Sequence, residues 1–75
     1  MMLSPTDETV SNYIKVLKRG ADYISKSITS QKMTVGEQMK YINAYNLIKN
    51  TDTVSEELKE ELYRVLLTVG ISVSK

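Results

Sequence analysis

The chain has 75 residues, enough for one small domain, and its ten basic and nine acidic residues leave a formal net charge of +1. It has no Cys and no His, which excludes disulfides and metal sites built from thiolate or imidazole ligands. The near-neutral charge gives no strong field for nucleic acid or an anionic membrane, and no apolar run approaches the ~20 residues of a membrane span. No signal-peptide pattern opens the sequence, so a cytoplasmic protein without a membrane partner is expected.

The first predicted helix covers residues 5–28. Ser4 is a suitable N-cap, Pro5 suits the first helical position, and Asp7 completes a capping-box arrangement. Apolar residues then recur at alternating spacings of four and three, at Val10, Ile14, Leu17, Ala21, Ile24 and Ile28. This stripe keeps its phase through Gly20, so we expect one helix to continue through the glycine. Glycine in a helix interior costs about 1 kcal/mol relative to alanine, and close approach of another backbone would offset that cost. A kink at Gly20 is the alternative.

The opposite face of this first predicted helix is basic. Lys15, Arg19 and Lys26 are predicted to steer the chain toward an acidic partner, and a merely solvated face is the alternative. Lys18 and Asp22 are spaced for a surface ion pair within the helix.

The second predicted helix covers residues 35–49, with Thr34 as its N-cap and Glu37 completing a capping box. Its expected core stripe is Val35, Met39, Ile42, Tyr45 and Ile48, with Tyr41 beside it. Asn46 falls near the centre of this apolar arc. A buried Asn there would need hydrogen-bond partners and could fix the register of packed helices, whereas a slight rotation of the helix would leave it at the water boundary.

The third predicted helix covers residues 55–69, with Thr53 or Ser55 as its N-cap and Gly70 as a left-handed terminator. Its expected core stripe is Leu58, Leu62, Val65, Leu66 and Val69.

Residues 70–75 are too few to predict a strand, and we expect a loose tail with Ile71 tucked against the last helical turn. The predicted fold class is therefore all-α: a single small three-helix domain over residues 1–75, with the long first helix packed against a helical hairpin.

Several large apolar side chains fall outside the predicted core stripes. Leu47, Tyr63 and Leu67 lie away from the predicted core faces, and Tyr41 is a neighbour of the surplus. Tyr supplies rigid contact area and is enriched at interfaces, so these four residues are the predicted partner interface. The alternative is that the connector or the tail covers them.

The residues of common catalytic chemistry are missing. There is no His for acid–base work, no Cys nucleophile, and the three glycines are too isolated for a phosphate-binding loop. The densest carboxylate cluster, Glu56, Glu57, Glu60 and Glu61, is best explained as a solvated face with Lys59 and Arg64 beside it. No catalytic residue, cofactor site or metal site is predicted, and the chain is not expected to be an enzyme.

The sequence favours a protein–protein interaction module, binding itself as a homodimer or binding another protein. Its small size suits an accessory regulator or adaptor of the kind that phages and mobile elements encode. The alternative is a helix–turn–helix-like DNA-binding regulator that uses Gln38, Lys40 and Asn43 of the second predicted helix.

Overall fold

The computed structural model describes residues 5–30 and 32–74, and in these ranges its regular structure is entirely helical. The all-α prediction is confirmed. The elements are α1 (Asp7–Arg19), α2 (Ala21–Thr29), α3 (Val35–Lys49) and α4 (Glu56–Thr68). Helix α4 packs against both α1 and α3, and one apolar core joins all of these helices.

Helix α1 begins two residues later than predicted. Its N-cap is Thr6, whose hydroxyl accepts the Thr9 backbone N–H at 3.3 Å, while the Thr9 hydroxyl accepts the Thr6 N–H at 2.8 Å. This reciprocal pair gives partners to two backbone N–H groups that have none within the helix. The prediction of Ser4 as the cap, a residue outside the described ranges, is therefore wrong, and Pro5 precedes the helix.

The first predicted helix is interrupted at Gly20, between α1 and α2, so the prediction of one continuous helix is wrong. The Gly20 N–H still donates to the Val16 carbonyl at 3.0 Å, and the ladder resumes where Ile24 donates to the Gly20 carbonyl at 2.9 Å. Among residues 5–30 and 32–74, no backbone of another element lies within 4 Å of a Cβ placed on Gly20, which would meet the Val16 oxygen at 3.6 Å and the Ile24 side chain at 3.8 Å. The glycine's conformational entropy therefore opposes a continuous helix without compensation from packing.

Helix α3 is rotated relative to the predicted core face. Tyr45 and Ile48 are buried as expected, but Val35 is 76% exposed and Met39 is 41% exposed. Asn46 is also exposed, so the hypothesis of a buried register-fixing Asn is wrong and the water-boundary alternative holds. The reason is that apolar side chains occupy every side of α3, so periodicity alone does not determine which side is buried.

Two hydrogen bonds connect the start of α1 to the loop before α4. The Thr53 hydroxyl donates to the Pro5 carbonyl at 2.7 Å, and the Ser55 N–H donates to the Asp7 carboxylate at 2.8 Å. Between these two bonds Val54 is buried in the core. Ser55, one of the two predicted candidates, is the N-cap of α4.

In the tail after α4, Ile71 is buried against the last helical turn, as predicted, and Val73 packs partly against the core, whereas Ser72 and Ser74 are exposed. Gly70 has a φ of +93°, the left-handed conformation predicted for it. The Ile71 N–H donates back to the Leu66 carbonyl at 2.9 Å, and both apolar side chains are buried. This is the hydrogen bond of a Schellman motif. Further along, the Lys49 ammonium donates to the Ser74 carbonyl at 3.3 Å.

Candidate functional site

Helix α3 presents a row of uncharged side chains to solvent. Val35, Met39, Asn43 and Leu47 follow one another at intervals of four residues, and we call this row the α3 ridge. Leu47 is 49% exposed, and Val35, Met39 and Asn43 are exposed as well. Residues four apart lie on one side of a helix, so three large apolar groups share a single surface.

An open apolar groove with a volume of about 210 Å³ lies beside this row, between α1 and α3. It is lined by Pro5, Thr9, Val10, Tyr13, Ala44, Leu47 and Ile48. Leu47 belongs both to the groove and to the α3 ridge, so the two surfaces are continuous. A concave apolar surface next to an exposed apolar row is typical of a protein-binding site.

Tyr13 forms part of the wall of this groove. Burial raises the pKa of its phenol from 10.0 to about 12, with a smaller contribution from the neighbouring Tyr41 phenol. Removing solvent disfavours the phenolate, and a second phenol nearby does so further. Tyr13 is therefore a neutral hydrogen-bond donor at physiological pH and not a base.

The four predicted interface residues do not form one patch. Tyr63 is half-buried, with its ring 6.0 Å from the Tyr45 ring at an angle of 42°, and Leu67 is 45% exposed one turn further along α4. Tyr45 and Leu47 are two residues apart, which is about 200° around the helix. Leu47 therefore lies on the side of α3 away from Tyr45, where it lines the groove with residues of α1. Tyr41 interacts with Tyr13 of α1, whereas Tyr63 and Leu67 belong to α4.

The predicted steering residues are exposed but lie on two helices. Lys15 and Arg19 are on α1, and the interruption at Gly20 places Lys26 on α2. Lys18 pairs with Glu61 of α4 at 2.7 Å instead of pairing within its own helix as predicted. The basic surface that remains is therefore centred on α1.

Only some of the residues predicted to contact DNA are accessible to solvent. Lys40 and Asn43 are exposed, whereas Gln38 is half-buried. Thr34 accepts the Glu37 backbone N–H at 3.1 Å, so its hydroxyl already caps α3. Glu37 adds a negative charge to the first turn, where a phosphate would otherwise be favoured.

The carboxylates of α4 are largely neutralised by neighbouring basic residues. The Lys59 ammonium lies 3.2 Å from a Glu56 carboxylate oxygen. The Arg64 Nε lies 3.6 Å from a Glu60 oxygen. Within the described residues, no group of three or more acidic side chains could hold a metal ion. This surface has the ion pairs that the sequence spacing indicates.

Sequence reasoning found Leu47 but missed its relation to Val35 and Met39. Both residues have the spacing of core residues, because they share a stripe with Ile42 and Tyr45. The sequence does contain a signal for the α3 ridge, because its residues recur every four positions. That signal can be used only when α3 is recognised as apolar on all sides.

Comparison with known protein families, with curated proteins and with solved structures finds no match for this chain. Across residues 5–30 and 32–74, no helix is long and apolar enough to cross a membrane.

Proposed function

We propose that this protein is a small non-catalytic interaction module that binds another protein through the uncovered apolar surface of α3. It would act as an accessory regulator or adaptor, of the kind that phages and mobile elements encode. The observation that supports this most is the alignment of exposed Val35, Met39 and Leu47 on one ridge beside an apolar groove. Single exposed apolar residues need no explanation, but an aligned set on one helix does.

The energy available at this surface is modest. Full burial of a Val, Leu or Met side chain stabilises by roughly 1.5–3 kcal/mol. About half of the side-chain surface of Met39 and of Leu47 is already buried in the chain itself. We expect each side chain of the ridge to contribute on the order of 1 kcal/mol on binding. This gain must exceed the cost of lost translational and rotational freedom, so the groove and the edges of the ridge must contribute too.

The other predicted interface residues lie outside the ridge and would take part where the contact extends past it. In this proposal Tyr41 contributes on the α1 side of α3, and Tyr63 and Leu67 contribute on the α4 side. Exposed Lys15 and Arg19 would raise the association rate of an acidic partner without adding much affinity.

A photo-crosslinking amino acid at position 47 tests the proposal in cells that express the chain. We expect one discrete covalent adduct, because a bound partner would lie against this side chain. The matched control carries the same amino acid in place of Glu57, which is exposed on the charged face of α4. An adduct of twice the chain mass would identify a second copy, and any other discrete mass a different partner. Equal labelling at both positions, or none at position 47, would refute the proposal.

DNA binding through α3 is the second candidate. The interruption at Gly20 creates a short α2 that is joined to α3 through residues 30–34, an order of elements that resembles a helix–turn–helix. Exposed Lys40 and Asn43 could contact phosphate or base edges. Retention of duplex DNA at low salt, with a steep loss as salt rises, would support this candidate. The acidic first turn and the net charge of +1 weigh against it.

A further inference from the structure

The side of α1 and α2 that points away from the core is basic. We call this side the outer face, and its residues are Lys15, Val16, Arg19, Tyr23 and Lys26, all of them exposed. We propose that the outer face binds an acidic helical segment of another protein, one that carries apolar side chains between its carboxylates. The outer face and the α3 ridge lie on different helices, and this inference does not rest on the proposed function.

The residues of the outer face share one side of the two helices although Gly20 separates α1 from α2. Leu17 and Ile24 are seven residues apart and both are buried in the core, so the helical phase is kept across the junction. Val16 and Tyr23 precede them by one position each and are 63% and 74% exposed. The outer face is therefore one continuous strip of about three helical turns.

The outer face lies in the part of the chain where positive charge is concentrated. Residues 9–34 include five Lys or Arg and one Asp, a net charge of +4, whereas the whole chain carries +1. Within residues 5–30 and 32–74, the side chains of Lys15, Arg19 and Lys26 make no ion pair or hydrogen bond. By contrast, the two cations of α4 lie 3.2 and 3.6 Å from carboxylate oxygens. The three cations of the outer face can therefore pair with the carboxylates of a partner.

Apolar contact area accompanies these charges. Charges alone raise the rate of association more than the affinity. Val16 and Tyr23 add apolar surface between the cations, and a Tyr side chain loses little conformational entropy on binding. Arg19 lies three residues after Val16 and four before Tyr23, and its guanidinium can hold a carboxylate through two parallel hydrogen bonds. A helical segment whose apolar residues are flanked by Glu or Asp complements both features.

Phosphate-rich partners fit the outer face less well. Val16 is aliphatic and has no complementary group on a sugar–phosphate backbone, and exposed Asp22 beside the strip would repel phosphates. Single strands bind through several stacked bases, whereas the strip has one aromatic ring, that of Tyr23. A helix that lies on a membrane needs a broad apolar face, and two apolar residues do not form one.

The contact should be weak and sensitive to salt. Three turns of one helix offer far less than the ~800 Å² that each partner buries in a standard stable interface. We therefore expect a dissociation constant between about 10 micromolar and 1 millimolar, the range of transient encounters. Because salt screens exposed charges, a rise from ~20 to ~200 mM should weaken binding by about tenfold.

A synthetic peptide tests the inference on the intact chain. The probe is a fluorescein-labelled helical peptide of about 18 residues, with Leu at every third or fourth position and Glu between them. Fluorescence anisotropy at low salt measures its affinity as the chain is titrated to millimolar concentration. We expect saturable binding. Replacing every Glu of the peptide by Gln, or every Leu by Ala, should each weaken binding by at least about fivefold.

Substitutions in the chain locate the contact. Arg19→Gln and Tyr23→Ser should each weaken binding of the probe by at least about threefold, because they remove the central cation and the largest apolar group of the outer face. The matched control is Lys32→Gln, which removes one positive charge from an exposed residue outside the strip and should change the affinity by less than about twofold. Circular dichroism verifies that each variant remains folded.

Several results would overturn the inference. The probe could show no saturable binding at millimolar protein, or could bind equally well with Gln in place of Glu. Equal losses in Arg19→Gln and Lys32→Gln would reduce the effect to net charge. Single-stranded DNA or phosphatidylserine vesicles that bind more tightly than the probe, and lose binding in Arg19→Gln, would assign the outer face to nucleic acid or to a membrane. Crosslinking at position 47 reports on the α3 ridge separately, so either proposal can fail alone.

Discussion

Alanine at Gly70 and at Gly20 should have opposite effects on stability. At Gly70 the φ of +93° lies in the left-handed region, where a residue with a Cβ costs about 1–2 kcal/mol. The added methyl group would meet Ile28 side-chain carbons at 3.8 Å, an ordinary contact, so the cost should be conformational and not steric. Gly70→Ala should therefore destabilise by about 1–2 kcal/mol.

At Gly20 the backbone has a φ of −92°, which any residue adopts, and a Cβ would meet its nearest atoms at 3.6 and 3.8 Å. Gly20→Ala should stabilise by about 0.4–1 kcal/mol, because alanine lowers the conformational entropy of the unfolded chain. The two variants should therefore differ by roughly 1.5–3 kcal/mol, although each adds the same single methyl group.

Urea unfolding followed by circular dichroism measures both free energies, and thermal unfolding gives an independent check. A domain of this size shifts its Tm by about 4–8 °C per kcal/mol, so the difference is well resolved. A loss of stability in Gly20→Ala would contradict the described junction between α1 and α2. An unchanged Gly70→Ala would contradict the left-handed end of α4.

Three further predictions concern the core, the groove and the start of α1. Leu62→Ala removes a fully buried side chain, so urea unfolding should show a loss of about 2–5 kcal/mol from the ~3–5 kcal/mol of net stability that a domain of this size has. A loss well below 2 kcal/mol would contradict the described core. The raised pKa of Tyr13 means that its phenol holds a proton longer when folded, so stability is complete below pH 10 and falls toward pH 12. The full pKa shift of Tyr13 corresponds to ~2.7 kcal/mol, but solvent reaches this side chain, so we expect stability to fall by on the order of 1 kcal/mol. Urea unfolding between pH 10 and pH 12 should show that Tyr13→Phe lacks this fall. An equal fall in both proteins would refute the prediction. Asp7→Ala removes the acceptor of the Ser55 N–H, and urea unfolding should show a loss of about 1 kcal/mol, whereas no loss would mean that this bond does not fasten α1.

The helical stripes of α1 and α4 were predictable because most of their apolar residues lie on one side of the helix. Val10, Ile14 and Leu17 in α1, and Leu62 and Leu66 in α4, are buried as their spacing indicates. The left-handed Gly70 followed in the same way from its position after the last periodic residue.

Helix α3 and the connectors were less predictable, for identifiable physical reasons. Apolar side chains surround α3, so the buried side is chosen by packing against α1 and α4, which sequence spacing does not reveal. Met33 and Val54 are buried although they lie in connectors, where no periodicity marks them. The interruption at Gly20 preserves the phase of the apolar stripe, and for that reason the stripe could not indicate it.

The candidate site was predictable only in part. Leu47 could be identified as surplus because it lies outside the predicted stripe, whereas Val35 and Met39 had the spacing of core residues. The apolar groove depends on how α1 and α3 pack together, which is a tertiary property.

The most direct test of the α3 ridge as an interface is methyl NMR across protein concentration. With a second copy as the partner, the methyl signals of Val35, Met39 and Leu47 should shift progressively as concentration rises, while those of the buried Leu62 and Leu66 stay fixed. Shifts confined to other surfaces would contradict the account, whereas signals of the ridge that remain constant from micromolar to millimolar protein would exclude a second copy as the partner.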